Sequence, residues 1–333
     1  MTEQDSFWSG RRVLVTGAGG FIGSHLTERL VREGAEVRAM VHYNALGRYG
    51  WLDDAEQLER IDVIGGDVAD RDSVRNAVAG CDTVFHLAAL IAIPYSYRAP
   101  ASYVRTNIDG TLNVMQAARE EGVRRVLHTS TSEVYGTARY VPIDEAHPLQ
   151  GQSPYSASKI GADKMAESFF CSFEVPLVTV RPFNTFGPRQ SMRAVIPTII
   201  AQCLAGKKSI RLGSLTPTRD MNFVTNTVDG YLAAAHADGV EGETVNLGSG
   251  REIAIGALAH LIAKLAGASI TIESDEQRVR PAGSEVERLL ASNEKAGRLL
   301  NWSPRVSLEE GLEQTITWAK DHLHLYRPSH YVV

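Results

Sequence analysis

Eight residues, Thr16-Gly17-Ala18-Gly19-Gly20-Phe21-Ile22-Gly23, join a short apolar stretch, Arg11–Thr16, to a helix-period stretch, Ile22–Arg32. A strand that must turn at once into a helix leaves few folds open, and the glycines say what the turn is for. Gly17 permits the tight turn, Gly20 lets backbone approach a pyrophosphate, and Gly23 allows the helix to pack closely on the sheet. The first helical residues, Phe21 and Ile22, then present unpaired N–H groups and a partial positive charge to phosphate oxygens. A glycine-rich turn with a purely structural role is the alternative; the strand before it and the helix after it favour phosphate binding.

The same alternation continues downstream. Glu36–Val41, Ile61–Ile64, Thr83–His86, Arg124–Thr129 and Leu177–Arg181 read as strands, and 72–79, 103–121 and 155–170 as helices. Strands alternating with helices imply parallel βαβ units, and the VLV and VTV runs suit strands buried on both faces. The fold class is therefore α/β, a doubly wound parallel sheet. Past residue 182 prolines and glycines break the rhythm. This predicts a nucleotide-binding domain over 1–181, with segments near 215–240 returning to it, and a smaller mixed α/β lobe over 182–333. Ser307-Leu308-Glu309-Glu310 reads as a capping box that opens a last amphipathic helix.

The 333 residues carry a net charge of −5, which gives no support to nucleic-acid or polybasic membrane binding. No run of about 18 apolar residues predicts a membrane span. MTEQDSFWSGRR lacks the apolar core of a secretory signal, and Cys81, Cys171 and Cys203 are widely spaced. The expectation is a cytoplasmic protein with reduced thiols and no metal site.

Tyr155 and Lys159 lie four apart on a helix, so both side chains point the same way. A phenol is a poor base near neutrality, with a reference pKa of about 10. A neighbouring ammonium and a cationic nicotinamide both favour the phenolate, which can take a hydroxyl proton as hydride leaves the same carbon. The pair follows a strand that ends at Thr129, and the hydroxyls of Ser130 and Thr131 would polarise the same oxygen. Turn chemistry after a strand is their alternative role.

TGAGGFIG, His86-Leu87-Ala88-Ala89, Asn107, YSASK and Arg181-Pro182-Phe183-Asn184-Thr185-Phe186-Gly187-Pro188 together resemble the extended short-chain dehydrogenase/reductases that modify nucleotide sugars. The resemblance spans nearly the whole chain, with the motifs in the family's order, and implies a Rossmann-type sheet. It implies Gly17, Gly20 and Gly23 at the pyrophosphate, and Tyr155 and Lys159 at the nicotinamide ribose. The backbone of Leu87, Ala88 and Ala89, and Thr129, would also lie along the cofactor. Asp67 and Val68 are adenine contacts in this reading, with a helix N-cap acid as the alternative for Asp67. The second strand ends Met40-Val41-His42-Tyr43-Asn44, with no carboxylate for the ribose. The cofactor therefore stays open between NAD and NADP, a 2′-phosphate having room near His42, Asn44 or Arg48.

Glu133 discriminates among reactions. Thr131-Ser132-Glu133 resembles the triplet of the 4,6-dehydratases, in which oxidation at C4 acidifies the C5 proton and a carboxylate removes it while hydroxide leaves C6. Glu133 is the candidate base, and Ser132 or Glu133 the proton donor to the leaving hydroxyl. UDP-glucuronate decarboxylases share Thr-Ser-Glu-Val-Tyr-Gly and are the alternative, followed by 4-epimerases and by a dinucleotide sensor without chemistry. The stretches Val141–Asp163 and Arg181–Thr198 are most similar to the legionaminic-acid-pathway dehydratases, which act on nucleotide-linked N-acetylglucosamine. The partner implied is a UDP- or GDP-linked hexose or N-acetylhexosamine. Asn107, Asn184, Arg193, Arg219 and Arg280 are its expected contacts, the arginines because a guanidinium donates two parallel bonds to a diphosphate. The resemblance also implies a homodimer through helices 103–121 and 155–170.

Overall fold

The computed structural model describes residues 7–328; residues 1–6 of the N-terminal stretch considered above lie outside them. A seven-stranded sheet forms the centre, in the order β10-β6-β5-β4-β1-β2-β3. Its strands are β1 (Arg12–Thr16), β2 (Glu36–His42), β3 (Ile61–Gly66), β4 (Thr83–His86), β5 (Arg125–Thr129), β6 (Leu177–Pro182) and β10 (Thr244–Leu247). Every pairing in it is parallel. The order reverses between β1 and β4, which opens a crevice at the carboxyl ends of the strands where ligands of such sheets bind.

Alternation along β1 explains the two-sided burial. Val13 and Val15 enter one apolar cluster with Phe85, Leu127 and Val178, while Leu14 enters another with Val84, Val126 and Leu177. Helices cover both faces: α1 (Phe21–Arg32), α2 (Arg71–Val78), α3 (Gly110–Glu120), α4 (Pro154–Phe173) and, from later in the chain, α6 (Val224–His236). An ion pair, Arg29 to Asp229 at 2.8 Å, ties α1 to α6. The seventh strand, β10, lies beyond residue 240 and pairs with β6 from Thr244 opposite Thr179.

The remaining strands make two small sheets. One is β11 (Glu252–Ala254), β9 (Thr218–Phe223) and β7 (Asn184–Phe186), with both parallel and antiparallel pairs. The other pairs β12 (Thr271–Ser274) with β8 (Ser209–Leu212). Between them lie α5 (Val195–Leu204), α7 (Ile255–Leu265) and α8 (Glu294–Leu300), and α9 (Leu308–Asp321) opens on the expected Ser307–Glu310 capping box.

One expected helix is interrupted. Residues 103–121 are not one α-helix: a π turn over Val104–Asp109 precedes α3. Two contacts account for it. A Cβ on Gly110 would come within 2.9 Å of Val68, so the chain is drawn tightly onto the sheet there. The Asn107 side chain, inside the turn, points inward and holds both the N–H and the carbonyl of Leu90, at 2.9 and 3.0 Å.

Candidate active site

Gly20 is the N-cap of α1 and has no side chain with which to cap it, so the N–H groups of the first turn point outward unpaired. Gly17 takes a positive φ of 69°, and a Cβ there would lie 2.9 Å from the Ala88 backbone. At Gly23 a Cβ would fall 2.2 Å from the Gly17 carbonyl oxygen. These close approaches leave an anion-sized cradle at the positive end of a helix, which fits a dinucleotide pyrophosphate. The segment after β2 crosses the turn, with the Trp51 N–H donating to the Gly19 carbonyl at 3.0 Å. Thr16 braces the other side. Its hydroxyl oxygen accepts from the Leu87 and Ala88 N–H groups at 3.1 Å and pairs with His86 Nδ1 at 2.9 Å.

Tyr155 is the second residue of α4, whose N-terminus is set by the Ser153–Ser156 capping box. Thr131 lies close enough to its phenol to lower the pKa. Thr131 caps the 3-10 turn Ser132–Tyr135, its hydroxyl accepting from the Glu133 N–H at 3.2 Å. One turn along α4, Lys159 Nζ donates to the Thr129 carbonyl at 2.6 Å. Burial raises the Tyr155 pKa well above the ordinary phenol value, Thr131 offsets part of this, and Glu133 adds to it. Burial also lowers Lys159, to about 8, with Asp163 opposing. Burial in low-dielectric surroundings thus favours the neutral phenol.

Glu133 faces the same space from the turn. Its Oε2 lies 4.0 Å from Arg280 Nη1, and its side chain is 12% exposed. Arg280 is also 3.6 Å from Glu285, whose carboxylate accepts from Arg219 at 3.2 Å. Burial lowers the Arg219 pKa, and Glu133 and Glu285 counteract that. Two guanidiniums and two carboxylates thus cluster beside the turn that Thr131 caps, with Glu133 near enough to raise the Tyr155 pKa. Sequence reasoning missed Glu285; its spacing after Arg280 in a polar loop was the available signal.

Other expected residues take different places. Ser130 turns away from Tyr155 and donates to the buried Asp163 at 2.6 Å. The Thr129 hydroxyl accepts from Tyr231 at 2.9 Å. Asn107 braces the Leu90 backbone and donates to Ser158 at 2.9 Å, acting as scaffold behind the crevice. Asn184 sits on β7, 3.5 Å from the Asp220 carbonyl. Ser132 is buried, whereas Arg193 is exposed beside Ser191. His42 ends β2 on the surface. Asp67 bonds the Ala69 N–H at 2.9 Å, and the N-cap acid of α2 is Asp70. Val68 is buried beneath Gly110, and Ala89 continues the loop after β4.

This combination of switch-point crevice, glycine cradle and Tyr–Lys pair defines an extended short-chain dehydrogenase/reductase. The model of the GDP-mannose 4,6 dehydratase family matches residues 14–315, and the chain belongs to that family. A UDP-glucose 4-epimerase of Mycolicibacterium smegmatis is 32% identical over 93% of this chain and 99% of its own length. UDP-glucuronic acid decarboxylase 1 of Xenopus tropicalis is also 32% identical, over 97% of this chain and 75% of its own. Among solved structures, the dTDP-glucose 4,6-dehydratase DesIV of Streptomyces venezuelae, crystallised with NAD, superposes with a TM-score of 0.86 at 28% identity. That match covers 95% of this chain and 99% of DesIV. Relatives of three activities stand at similar distance.

Proposed function

We propose that the protein is a nucleotide-sugar 4,6-dehydratase with NAD held at the glycine turn. The observation that carries this reading is Glu133, a mostly buried carboxylate on the turn capped by Thr131 and near enough to Tyr155 to raise its pKa. Nicotinamide dinucleotide, when bound, supplies the hydride acceptor for C4 and later the hydride donor for C6. Tyr155, with Thr131 on its oxygen, takes the C4 hydroxyl proton, and Lys159 supports the phenolate from below. The C4 ketone acidifies the C5 proton, which Glu133 removes. Hydroxide leaves C6, protonated by Glu133 or by Ser132, and C5 regains a proton as C6 is reduced. Atoms balance as the loss of one water. Arg219 and Arg280 grip the diphosphate, with Asn184 and Arg193 at the edges of the same lobe.

The second reading, decarboxylation, rests on the Thr-Ser-Glu-Val-Tyr-Gly run and on the relative that carries that activity. A panel of UDP-, GDP- and dTDP-sugars, including N-acetylhexosamines and glucuronate, separates the readings by product mass. Loss of water supports elimination, loss of carbon dioxide the second reading, and unchanged mass an epimerase.

A further inference from the structure

Behind the Tyr155–Lys159 pair, one more turn along α4, lies a carboxylate that the mechanism above does not use. Asp163 is 3% exposed, and both of its oxygens are engaged. Oδ1 accepts from His128 Nε2 at 2.9 Å, and Oδ2 accepts from Ser130 Oγ at 2.6 Å and Arg181 Nη2 at 3.1 Å. Arg181 in turn donates to the Tyr135 hydroxyl at 3.0 Å, and Tyr135 closes the turn that carries Thr131 and Glu133. One side chain therefore links the helix bearing Tyr155 and Lys159 to the ends of β5 and β6 and to the catalytic turn. A buried carboxylate is costly unless fully paired, and removing it leaves the opposing charge uncompensated.

We propose that Asp163 is a positioning residue for the Tyr155–Lys159 pair. It clamps α4 against β5 and β6, and its charge keeps Lys159 an ammonium. The proposal rests on the assignment of Tyr155 and Lys159 to removal of the C4 hydroxyl proton, a step that dehydration, decarboxylation and epimerisation share.

The groups around Lys159 bear this out. Tyr155 precedes it on α4, its neutral form favoured by burial. From β4 and β5 it faces His86 and His128, both held below the ordinary imidazole value, first by burial. From β6, Arg181 reaches Asp163 itself, at 3.1 Å. Asp163 is the neighbouring charge that raises Lys159, opposing the burial that brings it to about 8. The fixed Thr129 carbonyl takes one of its protons. Without the Asp163 charge, the desolvated lysine would shed its proton near neutrality and stop supporting the phenolate.

Asp163→Asn tests this, because the fold can accept the amide. Its oxygen can still accept from Ser130 and Arg181. Its NH2 can donate to His128 Nε2 once the imidazole proton moves to Nδ1, an atom that has no partner in the native chain. The chain has seven lysines, so with 13C at Cε the Lys159 signal can be followed against pH and assigned by its loss in Lys159→Met. We expect the Lys159 midpoint to fall by about one unit in Asp163→Asn, a change of the size one nearby charge produces in a partly desolvated site. In single-turnover reduction of the bound nicotinamide, the alkaline limb should move with it, cutting the rate at pH 8 by about fivefold with little change in KM. Asp163→Glu should restore both midpoint and limb. Ser130→Ala, which removes one bond but keeps the charge, should leave the profile in place. A folded Asp163→Asn with the Lys159 midpoint unmoved overturns the proposal. If that variant does not fold, Asp163→Glu decides: a midpoint lowered by a full unit despite the retained charge overturns it as well. A wild-type chain whose cofactor no nucleotide sugar reduces would refute the functional reading instead, and the lysine titration would still decide the role of Asp163.

Discussion

Replacing Glu133 by glutamine removes one charge and one base while keeping the shape, and the surrounding geometry gives each consequence a sign. As the base at C5, the carboxylate is worth the usual contribution of general base catalysis, about 10²–10⁴-fold. Exchange of the C5 hydrogen with deuterated solvent should fall by that factor. C4 oxidation should not fall with it, because Glu133 is one of the groups that raise the Tyr155 pKa, and its neutralisation favours the phenolate. Nor should substrate bind more weakly. Arg280 loses a carboxylate 4.0 Å away, and Arg219 one that offsets its burial, so both turn more fully to the diphosphate. Glu133→Gln should therefore show an undiminished burst of reduced nicotinamide in stopped-flow absorbance, unchanged or lower KM, and product formation reduced in step with C5 exchange. Deuterium incorporation read by mass spectrometry checks the exchange. Unimpaired exchange would refute Glu133 as the base, and loss of the burst would move it into the oxidation step.

Three other outcomes follow from single distances or shifts. Gly23→Ala places a methyl 2.2 Å from the Gly17 carbonyl and should cost bound dinucleotide, read by the cofactor content of purified protein and its gain in Tm with added NAD. Arg219→Met removes a charge-assisted donor worth about 1.5–3 kcal/mol, so steady-state KM for the nucleotide sugar should rise about tenfold to a hundredfold, with a smaller change in kcat. Acid unfolding should come in two windows. Burial lowers His25 to about 4, so about 3 kcal/mol of stability, full above pH 6.5, is lost as pH falls to 4. Asp163, pushed up by burial but brought down to about 2 by His128, Arg181 and Lys159, contributes about 2 kcal/mol that is lost between 3.8 and 2. Urea midpoints against pH check both windows, and His25→Gln should flatten the first.

Much of this was legible because the informative residues are close in the chain. The β1 turn, the Tyr155–Lys159 spacing and the Thr131–Glu133 triplet each sit within eight residues, and local spacing sets their geometry. What was not legible depends on distant partners. The π turn over Val104–Asp109 exists because Asn107 reaches Leu90 and Gly110 meets Val68. The seventh strand, Thr244–Leu247, finds β6 across more than 60 residues. Ser130 read as a substrate contact because its neighbours do, yet its pleat position sends it to Asp163. Asp163 itself had a signal: an acid four residues beyond Lys159, on a buried face of the same helix.

The relatives at about 30% identity are named as an epimerase, a decarboxylase and a dehydratase, and in the proposed function these outcomes would diverge only after a common C4 ketone. The groups assigned to making that ketone in the proposed function, the glycine cradle, Tyr155, Lys159 and the scaffold behind them, are therefore uninformative about the product. What separates the outcomes is the bond made labile next to C4. An epimerase needs the ketone to turn over in the site, a decarboxylase needs a carboxyl at C5, and a dehydratase needs a base over the C5 hydrogen. Glu133 sits on the 3-10 turn that Thr131 caps, close enough to Tyr155 to raise its pKa. That placement favours elimination in the proposed function, where overall identity is neutral. It also makes Glu133 the residue whose replacement should change the product most.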